Sequence, residues 1–272
     1  MSKKMGILLM LAALFALPAG SLAESRITIS GSTTVLPLAQ KAAEEYMKRY
    51  PEVRISVAGT GSGDGIRSLI DGTADIGNSS RDLKPKEADL AQKNGIKLKK
   101  HVVALDCIVP VVHPTNPIKN LSLEQLRAIF AGEVRNWNEV GGQDRQVVAI
   151  SRDSSSGTFE VWNKIVLGKG VRVRPDAQLQ ASNGAVAQAV AGNKYALGYV
   201  GLGYLNQRIK PLSVNGVAAN PETAKNKAYP IARGLNMFTL EQPSVAVQTF
   251  ISFVLGPMGQ KIAEQEGFVP IN

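Results

Sequence analysis

The run VVALDCIVPVV, residues 102–112, is apolar apart from Asp106 and is closed by His113-Pro114. Strands in globular proteins are usually about 5–6 residues long, so a run of this length can leave one sheet and enter another. A second long β-prone run, YPIARGLNMFT, spans 229–239. Two such strands with most of a domain between them predict a discontinuous first domain. The chain crosses over near 103–108 and returns near 229–235, which gives one lobe from 24–105 plus 234–272 and another from 106–233, joined by a two-strand hinge.

Working outward, strand-like and helix-like segments alternate. RITIS (26–30) and VRISVA (53–58) read as strands. Between them Pro37 opens a helix whose face carries Ala39, Ala42, Ala43, Tyr46 and Tyr50 at spacings of three and four. ADIGN (74–78), QVVAIS (146–151) and ALGYV (196–200) are further strands. Helices are expected at 83–93, 122–130, from Ser156, at 186–191, and at 244–255 and 257–265. This alternation predicts an α/β chain, each lobe a mostly parallel sheet covered by helices on both faces.

Residues 1–23 have the organisation of an export signal. Lys3 and Lys4 precede an apolar run from Met5 to about Leu17, and Ser21-Leu22-Ala23 supplies small residues for cleavage before Glu24. The apolar run is short of the ~20 residues a membrane span needs. With no cysteine at that junction to carry a lipid, the expected destination is the periplasm as a soluble protein. Cleavage removes two lysines from a chain of formal charge +9. The remaining basic residues are scattered and the aromatics, at 6%, are dispersed. That pattern steers anions without marking a nucleic-acid partner. Cys107 is the only cysteine, and His101 and His113 are the only histidines, so neither a disulfide nor a metal site is expected, nor a cofactor.

The chemistry sits at strand-to-helix corners. ISGSTTVLP (29–37), VAGTGSGDGI (57–66) and ISRDSSSGTF (150–159) each follow a strand, carry glycine and hydroxyl residues, and precede a helix; IGNSSRDL (76–83) and QASNGAVAQ (180–188) are similar. Ligands of open α/β sheets bind beyond the carboxyl ends of the strands. Helix-start N–H groups lack intrahelical partners, and glycine lets backbone approach closely. Any one corner is an ordinary capped turn, but five split between two halves predict an oxyanion site. The nucleotide alternatives fail on spacing: no G-x-G-x-x-G is completed around Gly61, and no phosphate-binding G-x-x-x-x-G-K-[ST] occurs. Arg152, directly before the SSSGT hydroxyl cluster, is the main cationic candidate because a guanidinium grips two oxygens at once; Arg81 is the weaker one. Asp64 and Asp153 stand beside the corners and could accept a proton from a protonated anion.

GSTTVLPLAQ, GTGSGDGI, DIGNSSRDL, SRDSSSGTFEVW and ALGYVGLGY, in this order, resemble the periplasmic phosphate-binding proteins of ABC-type phosphate importers. The likeness runs from about Ile27 to the C-terminus, with R-x-x-x-S-G-T at Arg152, Ser156, Gly157 and Thr158 as its most specific piece. It implies the two-lobed periplasmic-binding-protein fold, a non-enzymatic monomer, inorganic phosphate as ligand and a membrane permease as partner. By position it implies phosphate contacts from Ser32 and Thr33, from Ser62, and from Arg152, Ser156, Gly157 and Thr158, with Asp153 orienting the arginine. Where the family often has a proton-accepting Asp, this chain has Ser80, kept here as a site residue, with Asp64 as the expected replacement acceptor. The first corner also lacks the aromatic of the longer members. Binding of sulfate or molybdate, a sensor or adhesion role, and a periplasmic phosphoester hydrolase are the alternatives.

Overall fold

The computed structural model describes residues 25–271; the expected export signal and its expected cleavage point lie outside them. The chain opens with β1 (Ser25–Gly31), α1 (Leu36–Arg49), β2 (Val53–Gly59), α2 (Ser62–Ile70), β3 (Ile76–Ser79) and α3 (Pro85–Lys93). The long strand β4 (Leu98–Val112) follows, then β5 (Asn120–Leu121), α4 (Leu123–Ala131), β6 (Val148–Arg152) and α5 (Gly157–Trp162). Next come β7 (Gln178–Gln180), α6 (Asn183–Ala191), β8 (Ala196–Gly201), β9 (Lys210–Pro211), β10 (Ser213–Val214) and α7 (Pro221–Lys225). The second long strand β11 (Ala232–Leu240) leads into α8 (Val245–Leu255) and α9 (Pro257–Gln265).

Strand order in the main sheet is β2-β1-β3-β11-β4-β8-β6-β7, with β9 added alongside β4. β1 runs parallel to β2 and β3, and β6 runs parallel to β7 and β8. The pairings of β11 with β3 and β4, and of β4 with β8, are antiparallel. Two parallel blocks are thus joined through two long antiparallel strands. The change of partner falls inside β4. Leu98 to Cys107 pair with β11, and Ile108 to Val112 pair with β8.

Each half has its own core. On one side α1 turns Leu38, Ala39, Ala42, Ala43 and Tyr46 inward, as its three-and-four spacing requires. They meet Ile27 and Ile29 of β1 and Val247, Phe250 and Val254 of α8. Tyr46 stacks edge-on against Phe250, centroids 5.3 Å apart. On the other side Trp162 lies flat on Tyr199 at 4.1 Å, with Phe130 edge-on to both. Cys107, at the junction, is buried, and burial pushes its thiol up to about 12. Among the described residues no helix is long and apolar enough to cross a membrane, and no cluster of His, Cys, Asp and Glu could hold a metal.

The helices anticipated from periodicity form within a few residues of their expected bounds. The short pieces β5, β7, β9, β10 and α7 were not anticipated. They are too brief for a period to register; the strands are defined by partners across the sheet, and α7 by its Asn220–Thr223 capping box. β10, for instance, exists only as two residues paired with β5.

Candidate functional site

Four loops meet where the two halves face each other. The β1–α1 corner brings Ser32, Thr33 and Thr34. The β2–α2 corner brings Gly61 and Ser62, and the end of β3 brings Ser80. From the other half come Arg152, at the end of β6, and Ser156, Gly157 and Thr158, opening α5. These ten residues line one small, tightly closed cavity. All its lining hydroxyls are buried.

Local chemistry fixes each group. Ser32 Oγ accepts from the N–H groups of Thr34 and Val35, at 3.1 and 3.4 Å, which seats the first corner. Ser156 caps α5, its Oγ accepting from Phe159 N–H at 3.2 Å. Gly61 adopts φ +110°, where a side chain is strained, and a Cβ there would lie 2.3 Å from Ser155 Oγ. A Cβ on Gly157 would lie 2.3 Å from Ser62 Oγ and 2.9 Å from Ser80 Oγ. The loops of the two halves therefore interlock, and only glycine leaves room between them.

Arg152 is 1% exposed. Its Nε donates to Gln180 O at 2.9 Å, and its Nη2 donates to Ala181 O at 2.9 Å and to Thr33 Oγ1 at 3.3 Å. Its Nη1 is buried and has no hydrogen-bond partner among the described residues. Burial pulls the guanidinium below its ordinary pKa, and the charge of Asp153, 3.9 Å away, works in the opposite direction. A buried cation with an idle donor, ringed by hydroxyls, is the arrangement an oxyanion completes.

Behind the lining a polar network ties the halves together. Asn183, at the start of α6, donates to Thr33 Oγ1 at 3.1 Å and Thr34 Oγ1 at 3.0 Å. Thr34 Oγ1 also lies 2.9 Å from Thr158 Oγ1. Arg233 of β11 donates to Asp106 of β4 through Nε and Nη2, at 2.9 and 2.8 Å, and reaches Thr34 Oγ1 and Ser80 O. Further out, Glu160 of α5 forms ion pairs across the cleft with Arg81 Nε at 3.0 Å and Lys84 Nζ at 2.7 Å.

Of the residues expected from sequence, Ser32, Thr33, Ser62, Ser80, Arg152, Ser156, Gly157 and Thr158 come together around this cavity. Asp64 does not. Successive helix residues turn by about 100°, so with Ser62 facing the cavity, Asp64 two positions on faces solvent and is exposed. Asp153 touches Arg152 only distantly. Its Oδ1 instead accepts from Ser155 N–H and Oγ, at 2.8 and 2.6 Å. Carbonyls of Gln180 and Ala181 orient the arginine in its place. Arg81 is held away from the cavity by Glu87 and Glu160. Burial works against its charge, but hydrogen bonding to Glu87 and the nearby Glu160 outweigh that and hold its pKa above the ordinary value. Sequence reasoning missed Thr34, Asn183, Arg233 and Asp106. Thr34 and Asn183 lie in corners already flagged by composition; the two charged residues carried no local signal.

Fold and lining together define a class: two-lobed α/β proteins that enclose a small oxyanion between their lobes. A profile described as a PBP superfamily domain matches residues 18–257. The chain is 32% identical to the phosphate-binding protein PstS of Borreliella burgdorferi, over 91% of each chain, and 30% identical to that of Bacillus subtilis, over 92% of this chain and 82% of that one. A phosphate ABC transporter substrate-binding protein from Clostridium perfringens with bound phosphate superposes with a TM-score of 0.86 at 33% identity, covering 91% of this chain and all of that one (100%). An ABC-type phosphate transport receptor from Vibrio cholerae gives a TM-score of 0.74 at 29% identity, over 89% of this chain and 99% of that one. The chain belongs to the PBP superfamily and, within it, to the family of periplasmic phosphate-binding proteins of ABC-type phosphate importers.

Proposed function

We propose that this protein captures inorganic phosphate between its lobes and delivers it to the membrane permease of an ABC importer, without turning it over. One observation carries the reading: Arg152, whose Nη1 is buried and partnerless, lines a cavity ringed by hydroxyls from both halves. Ser32, Thr33, Ser62 and Ser80 approach from one half; Arg152, Ser156, Gly157 and Thr158 approach from the other. The lobes are taken as 24–105 plus 234–272 and 106–233, consistent with β4 changing partners between Cys107 and Ile108. Only the closed form makes both sets of contacts, so the anion shifts the hinge equilibrium towards closure. The protein works in the periplasm as a monomer, after cleavage behind Ala23, and has no nucleic-acid partner.

Calorimetry on phosphate-stripped protein tests this. One phosphate binds per chain, and an excess of sulfate leaves the heat unchanged. Absence of phosphate heat overturns the reading, and sulfate binding with equal strength overturns the choice of anion.

A further inference from the structure

A threonine hydroxyl has one proton to give and two lone pairs to accept with, whereas an amide nitrogen and a guanidinium can only donate. That asymmetry fixes proton directions around Asn183, the first residue of α6, which is fully buried and is not among the residues lining the cavity. Its Oδ1 accepts from Gly201 N–H at 3.1 Å. A backbone N–H cannot become an acceptor, so the amide cannot flip, and Nδ2 faces the threonines with both of its protons. One goes to Thr33 Oγ1 at 3.1 Å and the other to Thr34 Oγ1 at 3.0 Å.

Each threonine receives a second donor. Thr33 Oγ1 also takes Arg152 Nη2, and Thr34 Oγ1 also takes Arg233 Nη2, both at 3.3 Å. With both lone pairs filled by groups that cannot accept, neither hydroxyl can turn its proton back. Thr34 Oγ1 has one remaining neighbour, Thr158 Oγ1 at 2.9 Å, so its proton goes there. Thr158 then cannot donate to Thr34, and its own proton is left over. Thr33 Oγ1 likewise meets only donors among the described residues. Thr33 and Thr158 both line the cavity. Tyr204 O–H donates to Thr33 O, which pins the backbone beneath that hydroxyl.

Resting on the phosphate reading, we propose that Asn183 is a positioning residue of the site: by donating to Thr33 and Thr34 at once, it directs the protons of Thr33 and Thr158 onto the bound anion. Asn183 does not touch the anion. It acts directly on Thr33 and, by relay through Thr34, on Thr158. It comes from the half opposite Thr33 and Thr34, so both donors are set when the halves meet, and they need no reorientation as the anion binds.

The test is a double-mutant cycle on phosphate affinity, read by calorimetry on phosphate-stripped protein at pH 7.5. The proteins are wild type, Asn183→Ala, Thr33→Val, Ser156→Ala and the doubles N183A/T33V and N183A/S156A, each checked for an intact melting transition. In the wild-type background N183A is expected to weaken phosphate binding about 5- to 50-fold. Valine keeps the shape of Thr33 and removes the hydroxyl that Asn183 directs, so in T33V the same substitution should cost less than about a third of that factor. In S156A, whose hydroxyl Asn183 does not reach, it should cost the full factor to within about twofold. A residue that only packs, or only holds the halves together, costs the same in both backgrounds; that result overturns the assignment, as does an N183A affinity equal to wild type. N183D goes through the same cycle. It keeps the Gly201 contact and turns the donor into an acceptor, so its loss should exceed that of N183A and again shrink in T33V. A loss that T33V leaves unchanged overturns the assignment without relying on the alanine variant to fold. A wild type that does not bind phosphate overturns the underlying reading, and that arm contains no variant.

Discussion

Arg152 is held at three points, by Gln180 O, Ala181 O and Thr33 Oγ1, and those contacts leave Nη1 free. Its aim is therefore built before any anion arrives. Removing one partner of a desolvated charge contact costs about 2–5 kcal/mol in binding, so Arg152→Ala is expected to weaken phosphate binding by roughly 100-fold or more. Arg81→Ala, which touches no lining residue through its charge, should cost less than about tenfold. Calorimetry on the two variants side by side decides, and equal losses would contradict the ranking. Gly157 gives a steric test. A Cβ would meet Ser62 Oγ at 2.3 Å, so Gly157→Ala should hold the loops apart and abolish tight binding while leaving the melting temperature of the ligand-free protein nearly unchanged. A G157A protein that binds as tightly as wild type contradicts the interlocked geometry.

β4 and β11 carry the connection between the halves, and their shared ion pair is the element-scale feature with most at stake. Asp106 and Arg233 are both buried; desolvation pushes the acid's pKa up and the base's down, and each partner's charge opposes that shift. A buried pair can be nearly neutral for stability as a whole, but breaking it strands a charge at about 3–5 kcal/mol. Asp106→Asn also weakens the hold on Leu202 N–H, 2.8 Å from Oδ1. Denaturant titration should show a loss of that order, and a loss below about 1 kcal/mol would mean that water reaches the pair. His101, on the same strand against Thr239 of β11, has its pKa lowered by burial and then by Lys99. The unfolded chain then binds that proton more readily than the folded one, so stability falls as pH drops through about 6.5. His101→Gln should flatten that slope between pH 7.5 and pH 5, read from melting temperatures; an unchanged slope assigns it to other groups. Both long strands were legible from their length; in β4 the nearly continuous apolar run from Val102 to Val112 also records burial on both faces. Their ion pair was not, because Asp106 and Arg233 are far apart in the chain and only register across the ladder, Arg233 opposite Asp106, brings them together.

At the scale of the whole molecule the halves are in contact, not merely adjacent. Gly63 N–H donates to Ser155 O at 3.0 Å, Thr34 meets Thr158, and Glu160 bridges to Arg81 and Lys84. These contacts exist only when the cleft is shut, so they bias the hinge towards closure. Glu160→Gln removes the charge that spans the cleft. It should raise the open fraction, seen as a larger radius of gyration without phosphate, and cost up to about tenfold in affinity through the smaller closed population. A radius unchanged from wild type would show that the ion pairs do not hold the cleft. The two-lobed plan and the oxyanion corners could be read from the sequence because each is a local composition repeated at several places. The polar network behind the lining could not, since Thr34, Asn183 and Arg233 come from separate elements and meet only in three dimensions. Asp64 shows the opposite failure: it is close in sequence to Ser62, yet helix geometry turns it to solvent.

The most direct test is a crystal structure of the protein grown with phosphate. The expected density is one tetrahedral anion in the cavity bounded by Thr33, Ser80, Arg152 and Thr158. Arg152 Nη1 should lie within hydrogen-bond distance of one oxygen, and hydroxyls from both lobes should reach the others. A structure in which phosphate leaves that cavity empty, or contacts one lobe alone, contradicts the account.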